Sequence, residues 1–222
     1  PTDTPLPATG LRGTITDRTG DGFNDAVILS SDDRVMVASG NGNGQFTSVS
    51  TFPAQGALDI GVIGDPLATD LVLVTSGFAH IMANSQGVMS SPVSILTPMQ
   101  PVAVLGSIHT NPDAYLDSAI LYKDAAILLI LEGGSNPVQQ TIPIGTSPDL
   151  LAAGHLDADT TLDFLIIDGN GTSVLSLLNS GSGTFSAGFI GGLTTANPDA
   201  IALMDLDGDG VDERVGPSWP RP

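Results

Sequence analysis

The sequence is short of several residue types, and each shortage excludes a class of protein. There is no cysteine, so disulfides are absent and thiols say nothing about the compartment. Lys and Arg number 6 against 24 Asp and Glu, giving a net charge of −18. Because nucleic acids and anionic membranes bind basic patches, we expect neither as a partner. No apolar run reaches the roughly 18 residues that a membrane span needs, so we expect no membrane insertion.

Residues that carry catalysis are also scarce. The only histidines are His80, His109 and His155, and the last two occupy equivalent positions in the repeat described below. The sequence has neither a Gly-x-Ser-x-Gly elbow nor a His-Glu-x-x-His zinc helix. Paired carboxylates could serve a glycosidase, but the repeat already accounts for where the aspartates stand. We therefore expect a protein that is not an enzyme.

What the chain does contain is turn residues and a regular repeat. Its 27 Gly and 16 Pro predict many short strands and an all-β fold. An acidic residue precedes a strand-sized segment at five places, with spacings of 45, 47, 46 and 50 residues. These residues are Asp25, Asp70, Asp117, Asp163 and Glu213. So regular a period indicates a repeat architecture.

Each full unit contains four strand-sized segments, the number in one propeller blade. The fourth is the more polar one, and in unit two we predict it at 88–94. The second and third are continuous apolar runs, which is typical of strands buried on both faces. We predict a β-propeller-like array of about four four-stranded blades plus a half blade, in preference to a solenoid or a sandwich. The predicted units are 11–55, 56–99, 100–146, 147–197 and 198–216, which together form one repeat domain. A Pro-rich segment, 1–10, precedes them as a possible exchanged or closing strand, and a tail, 217–222, follows.

The loops before the repeated acidic residues have the composition of a calcium site. In loop one, 17–25, and loop five, 205–213, oxygen side chains fall at positions 1, 3, 5 and 9, with Gly at position 6. Ca²⁺ takes six to eight oxygen ligands, and the carbonyl of position 7 can add one. The predicted ligands are Asp17, Thr19, Asp21, Phe23 and Asp25 in loop one, and Asp205, Asp207, Asp209, Val211 and Glu213 in loop five.

These two loops resemble those of the FG-GAP/VCBS repeat family, which includes the integrin α-subunit propeller. The segment 205–217, Asp-Leu-Asp-Gly-Asp-Gly-Val-Asp-Glu-Arg-Val-Gly-Pro, is very similar to the family signature, and the repeat covers nearly the whole chain. The resemblance implies that each loop joins the first two strands of a blade and binds calcium. An EF-hand does not fit, because strands flank the loops and position 12 is Ile28 or Gly216.

The other loops depart from that pattern. Loop three offers Asn111, Asp113, Tyr115 and Asp117, and loop four offers Asp157, Asp159, Thr161 and Asp163, as candidate ligands. Both begin with histidine, a poor ligand for hard Ca²⁺, and neither has Gly at position 6. Loop two, 64–70, has lost its ligands, and we expect no metal there. For all these loops the alternative is an acidic turn held by side chain–backbone hydrogen bonds without metal.

The function expected from these features is a calcium-stabilised extracellular scaffold or interaction module. The chain begins at Pro1, so we expect a segment of a longer precursor. A half unit leaves an open blade edge, which predicts a piece of a longer propeller, an open array, or self-association into a surface or filament subunit. A carbohydrate-binding propeller with a glycan partner is one alternative, although one Trp and two Tyr are few for stacking on sugars. An accessory domain of a larger secreted protein is the other.

Overall fold

The computed structural model describes residues 8–67, 69–85, 88–89, 93–134, 138–168, 172–193, 198 and 200–215. All regular secondary structure in these ranges is β-strand. The described residues contain no helix that is long and apolar enough to cross a bilayer. Four four-stranded antiparallel sheets are followed by one pair of strands, which confirms the predicted propeller-like array with a half blade. Most of the predicted N-terminal segment and all of the C-terminal tail lie outside the described residues.

The strands follow the predicted units. Unit one contains β1 (Gly10–Thr16), β2 (Asp25–Ser30), β3 (Arg34–Gly40) and β4 (Phe46–Pro53). Unit two contains β5 (Asp59–Ile63), β6 (Asp70–Thr75), β7 (Phe78–Met82), β8 (Asn84–Ser85), β9 (Val88–Met89) and β10 (Val93–Leu96). Unit three contains β11 (Pro101–Ile108), β12 (Asp117–Tyr122), β13 (Ile127–Glu132) and β14 (Val138–Pro143). Unit four contains β15 (Leu150–Gly154), β16 (Asp163–Asp168), β17 (Ser173–Asn179) and β18 (Phe185–Gly192), and unit five contains β19 (Ala202–Met204) and β20 (Glu213–Val215).

One feature of the register recurs in all five units. The repeated acidic residue opens the second strand and lies opposite the last residue of the first strand, as in the pairs Thr16–Asp25 and Gly154–Asp163. The acidic loop therefore joins the same two strands at the same end of every sheet. Unit two alone differs from the predicted strand pattern. Its fourth strand was predicted at 88–94, but a small hairpin (β8 and β9) intervenes and the outer strand is β10.

The core lies between the sheets rather than within any one of them. The second strands β12 and β16 are buried at every residue, because each sheet packs one face on each neighbour. We call the interface between two neighbouring units a seam. Successive residues of a buried strand point into opposite seams: Val72 packs towards unit three, whereas Leu71 packs towards unit one. Four apolar clusters thus hold the five units in a row.

The first strands of neighbouring units approach each other closely at glycine. A Cβ on Gly106 of β11 would collide with the backbone nitrogen of Val62 in β5, and one on Gly61 would meet Val104. The hydroxyl of Ser118 also donates to the carbonyl of Val62 across this seam, at 3.0 Å. Side chains larger than glycine would push the two sheets apart, so these residues set the spacing of the units.

Candidate metal-binding loops and the joints between units

The residue at position 9 of loops one, three and four acts as a joint within its unit. The carboxylates of Asp25, Asp117 and Asp163 belong to fully buried residues. In each, Oδ2 accepts the N–H of loop position 2, from Arg18 (3.0 Å), Thr110 (2.8 Å) and Leu156 (2.7 Å) respectively. The other oxygen accepts an N–H at the end of the third strand, from Gly40 (2.9 Å), Gly133 (2.8 Å) and Asn179 (2.8 Å). One carboxylate therefore fixes the loop, the second strand and the third strand together.

Loops one and five share a second set of hydrogen bonds. The carboxylate of Asp205 accepts the N–H groups of Gly208 (2.7 Å) and Gly210 (3.0 Å), and these bonds hold its pKa below the usual value. Asp17 accepts the corresponding two amides of loop one, at 2.8 Å each. Both glycines of each loop have φ between +73° and +91°, a conformation that other residues rarely adopt. The Gly-x-Gly spacing is therefore required by the shape of the turn.

Carboxylate oxygens converge in loop five. One oxygen each of Asp205, Asp207 and Asp209 lies within 4.8 Å of the other two, and all three residues are exposed. Within the described part of the chain, this is the one group of three or more metal-ligating acidic or histidine side chains so placed. Asp17, Asp21 and Asp25 of loop one do not meet that criterion. Metal binding by any of the loops remains a prediction.

Loops three and four are braced by their own side chains. Asn111 accepts the N–H of Asp113 at 3.0 Å, and Asp113 accepts that of Tyr115 at 2.8 Å. In loop four, Asp157 accepts the N–H of Asp159 at 3.0 Å, and Asp159 accepts both the hydroxyl and the N–H of Thr161. Those bonds from Thr161 hold the pKa of Asp159 below its usual value. These are the side chain–backbone turns named above as the alternative to metal.

The residue at position 7 contributes its side chain as well as its backbone. Phe23 lies against Gly42, Tyr115 against Gly134, and Thr161 against Gly181. In each case the glycine belongs to the turn between the third and fourth strands of the same unit. The contact packs that turn onto the acidic loop, a role that the spacing of the residues does not indicate.

A buried arginine lies at the joint between units one and two. Arg18 is 2% exposed, and its guanidinium carbon lies 5.3 Å from the centre of the Phe52 ring. Burial lowers its pKa, while the nearby carboxylates of Asp25 and Asp70 act in the opposite direction. Asp70 closes loop two, the loop without ligands. The positive charge of Arg18 therefore interacts with carboxylates of two neighbouring units, Asp25 in unit one and Asp70 in unit two.

A cleft of about 510 Å³ lies between units three and four. Its walls come from the start of loop three, the end of loop four and the turn after β17. His109 and His155, the histidines at position 1 of their loops, both line it. They occupy equivalent positions in the repeat, but only the packing of the units brings them to one cleft.

Together the sheet order, the register and the seams define a protein of the β-propeller class. No family model matches the sequence, and no curated protein matches it. Among solved structures, the chain is similar to BBS1N in complex with ARL6DN, in a crystal soaked with lead, with a TM-score of 0.60 and 18% identity over 89% of this chain. A crystal of the same complex soaked with mercury gives a TM-score of 0.61 at 18% identity. The chain spans 62% and 61% of the length of those two chains.

Proposed function

We propose that this chain is a non-enzymatic interaction module whose open terminal units bind protein. The supporting observation is the distribution of exposed apolar side chains on the first strands. In unit one, Leu11 and Ile15 of β1 are 58% and 59% exposed, and in unit five Met204 of β19 is 54% exposed. In β5, by contrast, four of five residues are buried against neighbouring units. The fold also resembles that of BBS1N, which was crystallised with a protein partner.

The partner that we propose first is a second copy of the chain, packed head to tail. Each interface between neighbouring units joins two unlike faces of the sheets. The outer face of unit five in one copy can therefore pack against the outer face of unit one in the next copy, as neighbouring units do within one chain. Such a contact does not close by a two-fold axis and gives an open filament or a surface array. Sedimentation velocity over a range of concentrations tests the proposal.

The structure supplies matched variants for that experiment. Leu11→Glu and Met204→Glu should each abolish association, because each places a charge on a terminal first strand. Leu96→Glu should leave association unchanged, since Leu96 is 75% exposed on the outer strand of unit two. A chain that stays monomeric at every concentration in calcium contradicts self-association.

We further propose that Ca²⁺ stabilises the array at its acidic loops, chiefly at loop five. There Asp205, Asp207 and Asp209 supply converging oxygens, and the resemblance adds the carbonyl of Val211 and the carboxylate of Glu213. Extracellular calcium modules work at about 0.1–1 mM, which suits an exposed site and the extracellular location that we propose. Calorimetric titration should show binding that Asp207→Asn abolishes. Asp65→Asn, a substitution in the ligand-free loop two, serves as the control, and no heat of binding at millimolar Ca²⁺ contradicts the proposal.

The absence of enzymatic activity is part of the same proposal. Its support is that the loop carboxylates already accept hydrogen bonds from their own backbone, as Asp17 and Asp205 do. An accessory domain of a larger secreted protein would share every feature above. Mass spectrometry of the native protein would distinguish that alternative by finding these peptides within a longer chain.

A further inference from the structure

The turn that joins β3 to β4 in unit one contains two Asn-Gly pairs in succession. It reads Asn41-Gly42-Asn43-Gly44. Asparagine is a thermolabile residue, and it reacts most readily before glycine, because glycine has no side chain to shield its backbone nitrogen from the preceding carboxamide. The two pairs have different surroundings in the fold. A third Asn-Gly pair, at 170–171, lies outside the described residues.

The first pair is held by contacts on both of its residues. The Oδ1 atom of Asn41 accepts the N–H of Asn43 at 3.0 Å and the N–H of Gln45 at 3.3 Å, which is an Asx-type turn. Gly42 lies against the ring of Phe23 in loop one, so close that a Cβ on this glycine would collide with the ring. These contacts must break before the carboxamide of Asn41 can turn onto the nitrogen of Gly42.

The second pair lies at the exposed tip of the same turn. The carboxamide of Asn43 is exposed and makes no hydrogen bond with the residues that the structure describes. The N–H of Gly44 likewise has no partner among them, and a Cβ built on Gly44 would meet nothing within 4 Å. The side chain of Asn43 can therefore rotate onto the nitrogen of Gly44 without displacing another group.

The equivalent turn of unit four gives an internal reference. Asn179 is 3% exposed, and its Nδ2 donates to the carbonyl of Thr110 at 2.8 Å and to that of Leu162 at 3.2 Å. It therefore joins loop four to loop three across the seam, beside the cleft between units three and four. The residue that follows it is Ser180 rather than glycine. Burial, hydrogen bonds and the following side chain all protect this asparagine.

We propose that Asn43 is a site of spontaneous deamidation in the folded protein. The nitrogen of Gly44 loses its proton to hydroxide and attacks Cγ of Asn43, and the new C–N bond closes a five-membered succinimide. The side-chain nitrogen takes up a proton from water and leaves as ammonia. A water molecule then opens the ring at either carbonyl, which leaves aspartate or isoaspartate at position 43. Each event adds one negative charge at the end of unit one that already carries acidic loop one.

Peptide mapping by mass spectrometry, on full-length chain aged at neutral and at mildly alkaline pH, tests the proposal. We expect the mass gain of amide-to-acid conversion at Asn43, and a faster reaction at the higher pH because the attacking nitrogen must lose a proton. Asn41 should react at least about tenfold more slowly, since its contacts must break first. Asn179 should not react. If Asn41 reacts as fast as Asn43, or if Asn43 stays intact in the folded chain, the proposal is wrong.

Unfolding and substitution separate the effect of the fold from that of the sequence. In concentrated urea both pairs lose their contacts, so Asn41 and Asn43 should react at similar rates. Phe23→Ala removes the ring from Gly42 and should speed the reaction at Asn41 while leaving that at Asn43 unchanged. Asn43→Gln should abolish the fast conversion, because glutamine would have to close a larger ring. A difference between the two asparagines that persists unchanged in urea would come from the neighbouring sequence and would overturn the assignment.

Discussion

Replacing Asp117 with alanine distinguishes a hydrogen-bonded joint from a metal ligand. Asp117 is fully buried and accepts three hydrogen bonds, from the N–H and Oγ1 of Thr110 (2.8 and 2.6 Å) and from the N–H of Gly133 (2.8 Å). Alanine leaves the two amides buried or half-buried without an acceptor. The Thr110 hydroxyl can rotate towards another acceptor, so it contributes less to the loss.

The expected loss follows from those two amides. A hydrogen bond to a charged group contributes about 1.5–3 kcal/mol, and a buried donor left without a partner costs about 1–3 kcal/mol. The substitution also relieves repulsion, because Asp117 lies near Glu132 and helps to raise the pKa of that group. We therefore expect a net loss of about 3–5 kcal/mol from the free energy of unfolding. For a chain of this size that corresponds to a fall of roughly 10–15 °C in melting temperature.

Urea and thermal unfolding, each measured with Ca²⁺ and with chelator, provide the assay. The loss should be the same in both conditions if the joint is made by hydrogen bonds. Asp113→Ala is the matched control in the same loop, because Asp113 is exposed and accepts one bond, from the N–H of Tyr115. We expect it to cost less than about 1 kcal/mol in chelator. A loss in Asp117→Ala that is seen only with calcium would refute the joint and favour ligation.

Three further substitutions probe other parts of the structure. Arg18→Met should cost about 3 kcal/mol in urea unfolding with or without chelator, because it leaves Asp25 and Asp70 without the buried charge between them; no loss would mean that the two carboxylates need no such charge. Glu132→Gln should raise the melting temperature at pH 7. Burial and neighbouring carboxylates raise the pKa of Glu132 in the folded protein. Ionised Glu132 therefore destabilises the fold when the pH is above this raised pKa, and the effect disappears when the pH is below the pKa of Glu132 in the unfolded chain. The gain should therefore shrink towards pH 4, and a gain independent of pH would point to packing instead. Gly106→Ala should destabilise by about 2 kcal/mol through collision with β5, whereas an equally stable variant would show that the sheets can separate freely.

The architecture could be predicted because its signals are local and repeated. A continuous apolar run after an acidic residue identifies a strand buried on both faces, and four such runs, with a fifth acidic loop at the same spacing, identify the period. The prediction of unit two's outer strand was wrong, because that segment has no comparable run. Only the structure shows a small hairpin before β10.

The candidate sites could be predicted less completely. Spacing made position 9 of loops one, three, four and five a predicted metal ligand. It could not show that the carboxylates of Asp117 and Asp163 accept amides from the end of the third strand, 16 residues further along. It gave no reason to notice Arg18 or Asn179. Both residues act across a seam, on groups that belong to a different unit.

By itself, then, the sequence determined the period of the repeat, the strands of most units and the shape of the glycine-containing loops, because these depend on hydrophobic pattern and backbone conformation within one unit. Only the tertiary structure decided which carboxylates serve the backbone, where Arg18 is buried, and that the seam at Asn179 contains a cleft. Those features arise from the packing of one sheet against the next, and the distance between two sheets is set by residues that lie far apart in the chain, such as Gly61 and Gly106.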